Sequence, residues 1–251
     1  MARAVGEPMS RMLVTRPEPD AQSTLSRLVA LDIEAIAAPL MVRRTLHGSL
    51  PPPDGFAAMV LTSANAVRAL ADRGVVAQYA HLPVLAVGDR TAQEAEEAGF
   101  GKVSSAAGAL SDLVNAIAIS KLKGPLFHPT GRHQSGDLAK ALAPLGVMVV
   151  TSRVYDMVAI EALPGEVLAA LGDGSIGAVL AYSRRTAEIF ATLAAGLELS
   201  QRRRIAMLCL SEAVAGPLLD AHFHRISLAD RPDEDAMMAL ALAVAREQTG
   251  P

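Results

Sequence analysis

Four short stretches of this sequence carry hydroxyls, a phenol and arginines at points where an anion would be held. Thr62-Ser63-Ala64-Asn65 and Gly88-Asp89-Arg90-Thr91-Ala92 each follow a short apolar run and open a segment of helical period. Tyr182-Ser183-Arg184-Arg185 and Ser211-Glu212-Ala213-Val214 stand at the matching points later in the chain. Such turns leave free backbone N–H groups at a helix N-terminus, and these favour an anion. Ordinary N-capping by Ser63 and Asp89 accounts for any single loop; four equivalent loops weaken that explanation. Arginines cluster on the same kind of loop: Arg16 in Thr15-Arg16-Pro17, Arg90, Arg132 in Thr130-Gly131-Arg132, and Arg184 with Arg185. The guanidinium fork matches carboxylates bidentately, so the set points to a polycarboxylate ligand.

Other chemistries are poorly represented. G-x-x-x-x-G-K-[ST] does not occur, and the single G-x-G-x-x-G, at 172–177, precedes an expected strand instead of following one and opening a helix, so no nucleotide fingerprint is present. The six histidines lack metal-ligand spacing, and the near pair His222/His224 beside Phe223 reads as a surface turn. Cys209 falls in an apolar strand as a small buried residue rather than a nucleophile. His128, before Pro129 at a strand end, is read as a satisfied loop histidine, with a cleft-facing role as the alternative. The expected chemistry therefore rests on shape, hydrogen bonding and a phenol or hydroxyl.

The elements that position these loops are short β-rich apolar runs alternating with alanine- and leucine-rich helical segments, the pattern of βα units around a parallel sheet. Strands are expected over 12–15, 34–38, 57–61, 84–87 and 102–104, and again over 125–128, 147–151, 178–181, 205–210 and 225–227. Helices are expected over 20–30, 64–73, 91–98, 110–120, 135–145, 185–195, 212–221 and 235–247, with Gly74 and Gly99 as C-terminal stops. Gly48–Gly55, with its three prolines, and Gly172–Gly177 read as loops.

The chain also contains itself twice. Leu85–Asp112 recurs without insertion at Leu208–Asp235, where Leu85, Ala92, Ala98, Phe100, Ser104, Ala106 and Asp112 meet identical residues. Upstream, 59–63 answers 179–183, and Leu28/Leu31 answer Leu142/Leu145. Two flavodoxin-like domains are implied, each a three-layer α/β unit with a parallel sheet, and the cleft between two such halves is the natural ligand site.

Composition narrows the class. With 251 residues, each copy is long enough to bury its own core. A net charge of −3, a pI near 6.1 and the absence of tryptophan argue against nucleic acid as a partner. No run reaches the roughly 18 apolar residues of a membrane span. The leader Met1–Ser10 lacks an apolar core and is not a signal peptide; it is expected to be a loose tail, with Met9 as an alternative start. One cysteine excludes an intramolecular disulfide and fits a cytoplasmic protein.

In their order, spacing and duplication, these motifs resemble those of the uroporphyrinogen-III synthase family over nearly the whole chain. The carrying segments are Leu13-Val14-Thr15-Arg16-Pro17, 61–67, 86–92, Thr130-Gly131-Arg132, Arg153-Val154-Tyr155 and Ser183 opening the 184–190 helix. The resemblance implies a cofactor-free, metal-free lyase that takes the linear tetrapyrrole hydroxymethylbilane, eliminates its hydroxyl, inverts the terminal pyrrole ring and closes the macrocycle. It implies one domain from 1–39 and 157–251 and another from 40–156, joined by linker strands near Leu40–Arg43 and Val154–Met157. It also implies substrate-binding roles for Arg16, Thr62, Ser63, Gly88, Arg90, Thr91, Gly131, Arg132, Tyr182, Ser183, Arg184 and Ser211. Tyr155 matches the family's candidate general acid. Its counterpart in the repeat is Met41, so the phenol exists on one side only, although a hinge residue with its ring packed in the linker is the competing reading. Val214 and Ser211 depart from the threonine and glycine common in the family, as does Tyr182 from Thr62 of the first copy. The partners implied are the carboxylate-rich substrate, no membrane, a monomeric state and at most a transient contact with the preceding pathway enzyme. A non-catalytic bilobed binding protein or sensor for an anionic metabolite is the alternative, and a two-lobed nucleotide-sugar transferase is disfavoured by the missing phosphate loop.

Overall fold

A computed structural model describes residues 11–249 except 107, 109, 121 and 135. Among these the order is β1 Arg11–Val14, α1 Asp20–Val29, β2 Ala35–Ala37, β3 Met41–Thr45, β4 Ala58–Leu61, α2 Ala64–Asp72, α3 Val76–Tyr79, β5 Val84–Ala86, α4 Asp89–Ala98, β6 Val103–Ser105, α5 Leu110–Ser120 and β7 Leu126–Gly131. It continues as α6 Leu138–Leu142 with a 3-10 turn Ala143–Leu145, β8 Val149–Ala159, α7 Gly165–Asp173, β9 Ile176–Ala181, α8 Arg184–Leu193, α9 Leu199–Arg202, β10 Ala206–Cys209, α10 Glu212–Asp220, β11 Arg225–Leu228 and α11 Glu234–Thr249. The expected leader 1–10 lies outside the described residues.

The strands form two sheets, in the orders β2-β1-β9-β10-β11 and β6-β5-β4-β7-β8-β3. Contacts divide the chain into two compact units, one running to Val42 and resuming at Ala159, the other spanning Arg43–Val158. Each sheet draws strands from both halves of the sequence. Starting the second unit at β7, its order β8-β7-β4-β5-β6 is that of β2-β1-β9-β10-β11, the 2-1-3-4-5 arrangement of doubly wound sheets. Every pairing described among these ten strands is parallel.

Parallel strands covered on both faces read as continuous apolar runs, and alternation along them separates two cores per sheet. In the first unit Leu13, Val179 and Met207 face one core with Phe190 and Phe223, while Met12, Val14, Leu180 and Leu208 face the other with Met237 and Val244. In the second, Met59, Leu61 and Phe127 meet Val67, Leu70 and Tyr79 on one face, and Ala58, Val60 and Leu126 meet Leu113 and Leu138 on the other. Ser63 caps α2 by accepting from the Asn65 N–H at 3.2 Å, and Ser183 caps α8 through Thr186 N–H at 3.1 Å. The helix α4 stops at Gly99, left-handed at φ 106°; its repeat counterpart His222, following α10, is left-handed at φ 62° without being glycine.

Several elements differ from the sequence reading. The expected strand 147–151 and the linker strand 154–157 are one strand of 11 residues, β8, because pairing with the lengthened β7 carries both past the predicted ends. The expected helix 135–145 shrinks to α6 and its 3-10 turn, with Pro144 admitting no longer helix; residue 135 lies outside the described residues. Gly172–Gly177 is mostly structured, with Gly172 inside α7 and Ile176 opening β9, since Pro164 and Gly174 bound a helix there. The single-turn helices α3 and α9 are too short to show periodicity. Asp89 lies in the first turn of α4, behind an N-cap at Gly88.

Candidate active site

Ligands of doubly wound sheets bind beyond the carboxyl ends of strands where the order reverses. In the second unit this point lies between β4 and β7, followed respectively by Thr62 and by Arg132. A cavity of about 250 Å³ opens there, lined by Thr62, Val87, Gly108, Leu110, Thr130, His133, Gln134, Gly136 and Tyr155. The lining residues follow strands β4 to β7 or lie within β7 and β8, as Thr130 and Tyr155 do, apart from Leu110 at the start of α5.

Tyr155 owes its place to an irregularity. Thr130 pairs with Arg153 but Gly131 pairs with Tyr155, so Val154 is the extra residue and the register shifts between the two pairs. The Tyr155 ring then lies directly on Gly131: a Cβ at position 131 would stand 2.7 Å from Tyr155 Cζ and 2.9 Å from its hydroxyl. Only glycine fits beneath the ring. Tyr155 is 8% exposed, packing partly in the core with Phe127 and partly along the cavity. Beside it, Asp156 receives Arg132 Nε at 3.3 Å and has His133 Nδ1 at 3.5 Å, while its Oδ1 makes no hydrogen bond and is buried.

Thr62 Oγ1 lies 3.1 Å from Nε2 of His128, which is inside β7 and 2% exposed rather than in a loop. Burial drives the His128 pKa down to about 4, the Asp137 charge opposing it weakly. The imidazole is therefore neutral at pH 7.

The reversal point of the first unit, between β1 and β9, holds a different arrangement. Arg16 ion-pairs with Glu234 and Asp20, donates to Thr24 Oγ1 at 3.2 Å, and lies 4.2 Å over the Tyr182 ring. The Tyr182 hydroxyl donates to Glu234 at 3.1 Å, and burial with the Glu234 charge raises its pKa. Arg16 and Tyr182 are thus brought together, but around an internal carboxylate.

The remaining candidates occupy several roles. Ser63 and Ser183 are the helix caps described above, whereas Gly88 and Ser211 head α4 and α10 with no side-chain cap bond. Thr91 is buried in α4, and Val214 is buried at its counterpart in α10, so that position packs inward in both. Arg90 is exposed, and Arg184 is exposed and paired with Glu188 along its own helix. Cys209 is fully buried, its thiol pKa pushed up to about 12. Among the described residues, no group of three or more His, Cys, Asp or Glu side chains is placed to hold a metal ion.

Sequence reasoning missed His128 as a partner of Thr62, Asp156 as the carboxylate beside Arg132, and Glu234 as the partner of Arg16. Thr130 stood in a quoted motif without being singled out. Asp156 stood inside the expected linker strand 154–157 and Glu234 just before the expected helix 235–247, with nothing local to mark either, because their partners are fixed by contacts distant in sequence.

Comparison with known proteins adds an independent measure. The family model described as uroporphyrinogen-III synthase HemD matches residues 23–239. The fold is similar to that of uroporphyrinogen-III synthetase from Helicobacter pylori 26695, at 17% identity and a TM-score of 0.67, covering 94% of this chain and 100% of that one. It is also similar to a mutant uroporphyrinogen III synthase from the extremely thermophilic bacterium Thermus thermophilus, at 17% identity and a TM-score of 0.51, covering 96% and 100%. No curated protein matches in sequence. At such identities the structural likeness speaks for the fold, while the family match spans most of the sequence, including β4 to β8 and the cavity they frame; the chain belongs to the uroporphyrinogen-III synthase family.

Proposed function

We propose that this chain converts hydroxymethylbilane to the ring-inverted macrocycle and that the cavity of the six-stranded sheet holds the reacting end of that substrate. The observation that carries this reading is the placement of Tyr155 beside the Thr62 and Thr130 side chains at the reversal point of the sheet, in a chain of this family. At about 250 Å³ the cavity suits one substituted pyrrole rather than the whole linear molecule.

The Tyr155 phenol gives its proton to the departing hydroxyl, which leaves as water. The carbocation left at the hydroxymethyl carbon is taken up by the substituted α-carbon of the terminal pyrrole, the bond from that carbon to its original bridging carbon then breaks, and the freed bridging carbon bonds to the ring's other α-carbon, whose proton returns to the phenolate. Arg132 and Arg90, each more exposed than Arg16, meet carboxylates of the rest of the substrate. Gly131 lets the phenol approach, and the N–H groups of α4, headed by Gly88, add an anion-favouring end. Arg16, already neutralised by Glu234, organises the first unit's loops.

The shared strand order and the sequence repeat support descent of both units from one duplicated unit, with β3 and β8 as a two-stranded linker. The single cysteine and the family's chemistry fit a cytoplasmic enzyme. Incubating purified protein with freshly generated hydroxymethylbilane, without added metal or nucleotide, and separating the product isomers tests the reading. The inverted isomer is expected. Only the symmetric isomer, which forms unaided, would refute it.

A further inference from the structure

A threonine hydroxyl both donates and accepts, and it rotates to suit its neighbours unless something fixes it. Thr62 is held at 3.1 Å by a ring that cannot move easily: His128 is 2% exposed, and its strand β7 is paired on both sides, with β4 and β8. An apolar pair of the same shape would pack there with no polar group to desolvate. Thr62 instead lines the cavity that also contains Tyr155, with His128 bonded to it from outside that lining. At the corresponding point of the other sheet the repeat replaces His128 by Val14 and Thr62 by Tyr182. The couple, like the Tyr155 phenol, therefore exists on one side of the duplicated pattern only.

We propose that His128 is a positioning residue for the ring-closing reaction: its buried imidazole takes up one hydrogen-bonding function of Thr62 Oγ1 and leaves the other aimed at substrate in the cavity. In one tautomer Nε2 accepts the hydroxyl proton and Thr62 presents its lone pairs. In the other Nε2–H donates and Thr62 presents its proton. Either way the hydroxyl is fixed before substrate arrives, which reduces the ordering required in the transition state. The inference rests on the proposed reading of the cavity.

The test compares kcat and KM for hydroxymethylbilane in the wild type, His128→Leu, His128→Gln, Thr62→Val and the Thr62→Val/His128→Leu double variant, with folding checked by circular dichroism. His128→Leu and Thr62→Val should each lower kcat by about tenfold or more with KM changed less than about threefold, as for lost positioning. The double variant should be no slower than the worse single one, because both remove the same fixed hydroxyl. His128→Gln, whose amide reaches the place of Nε2, should recover most of the loss. If His128→Leu does not fold, the decision falls to Thr62→Val: a folded Thr62→Val within about threefold of wild-type kcat overturns the proposal. Multiplicative losses in the double variant, or a fully active His128→Leu, overturn it as well while leaving the wild-type reaction standing. Failure of the wild type itself to give the inverted isomer overturns the cavity reading, and this proposal with it.

Discussion

His128 titrates near pH 4 in the folded protein, against an ordinary value of 6.5, because its ring is sealed inside β7. The unfolded chain takes up a proton at this position as pH falls through 6.5, and the folded chain does not until about 4. Between those values the unfolded state binds more protons, so stability falls as the solution is acidified. The two affinities differ by about 3 kcal/mol, a large share of the roughly 5–15 kcal/mol that holds a typical domain folded. The perturbation is a fall from about pH 7 to about pH 4.5, and the control is His128→Gln, which keeps a hydrogen bond but cannot titrate. Urea unfolding curves across this range should show the wild type losing about 2–3 kcal/mol more than the variant. Carboxylates elsewhere contribute to both proteins and cancel in the difference. Equal pH slopes for the two would refute the argument, showing that the ring is hydrated or charged in the folded state.

The close approach of Gly131 to Tyr155 makes Gly131→Ala an overpacking change, expected to cost about 1–3 kcal/mol in urea unfolding and to lower turnover sharply by moving the phenol; unchanged activity would contradict the contact. Arg16→Ala should cost about 1–3 kcal/mol of stability, since it strips Glu234 and Tyr182 of a shielded partner. Arg132→Ala, at a side chain 55% exposed, should raise KM more than it lowers kcat with little loss of stability. Reversing those two phenotypes would exchange the roles assigned to the arginines. His222→Gly should raise stability by about 0.5–1 kcal/mol, because it relieves a left-handed non-glycine residue. KM for hydroxymethylbilane should rise with added salt, as carboxylate–arginine contacts at exposed positions are screened.

The strands and the order of βα units were legible because parallel strands buried on both faces leave uninterrupted apolar runs, as at 58–61 and 178–181. The capping role of Ser63 was legible because a cap bonds within three residues of itself, whereas Asp89, read as the matching cap, lies one residue inside α4. Tyr155 was singled out by family resemblance, but its seat on Gly131 was not legible, since it depends on a register shift that no local pattern encodes. The His128–Thr62 contact joins residues from the two sequence halves across β7 and β4, neighbours only because each sheet mixes both halves. Arg16 read as a free cation for want of its partner, Glu234, which the chain supplies 218 residues later. The long β8 was divided in two because exposed and half-buried residues interrupt its apolar pattern.

If Tyr155 assists departure of the hydroxyl, the partition of hydroxymethylbilane between enzymatic and unaided closure reports it directly. Wild type and Tyr155→Phe are compared at equal concentration, with the isomer ratio and single-turnover rate recorded for each. Wild type should yield mainly the inverted isomer, while folded Tyr155→Phe slows by roughly 10²–10⁴-fold and lets the symmetric isomer dominate. A Tyr155→Phe protein that still yields the inverted isomer within about threefold of the wild-type rate, well short of a general acid's contribution, would contradict that role and make the ring a packing element.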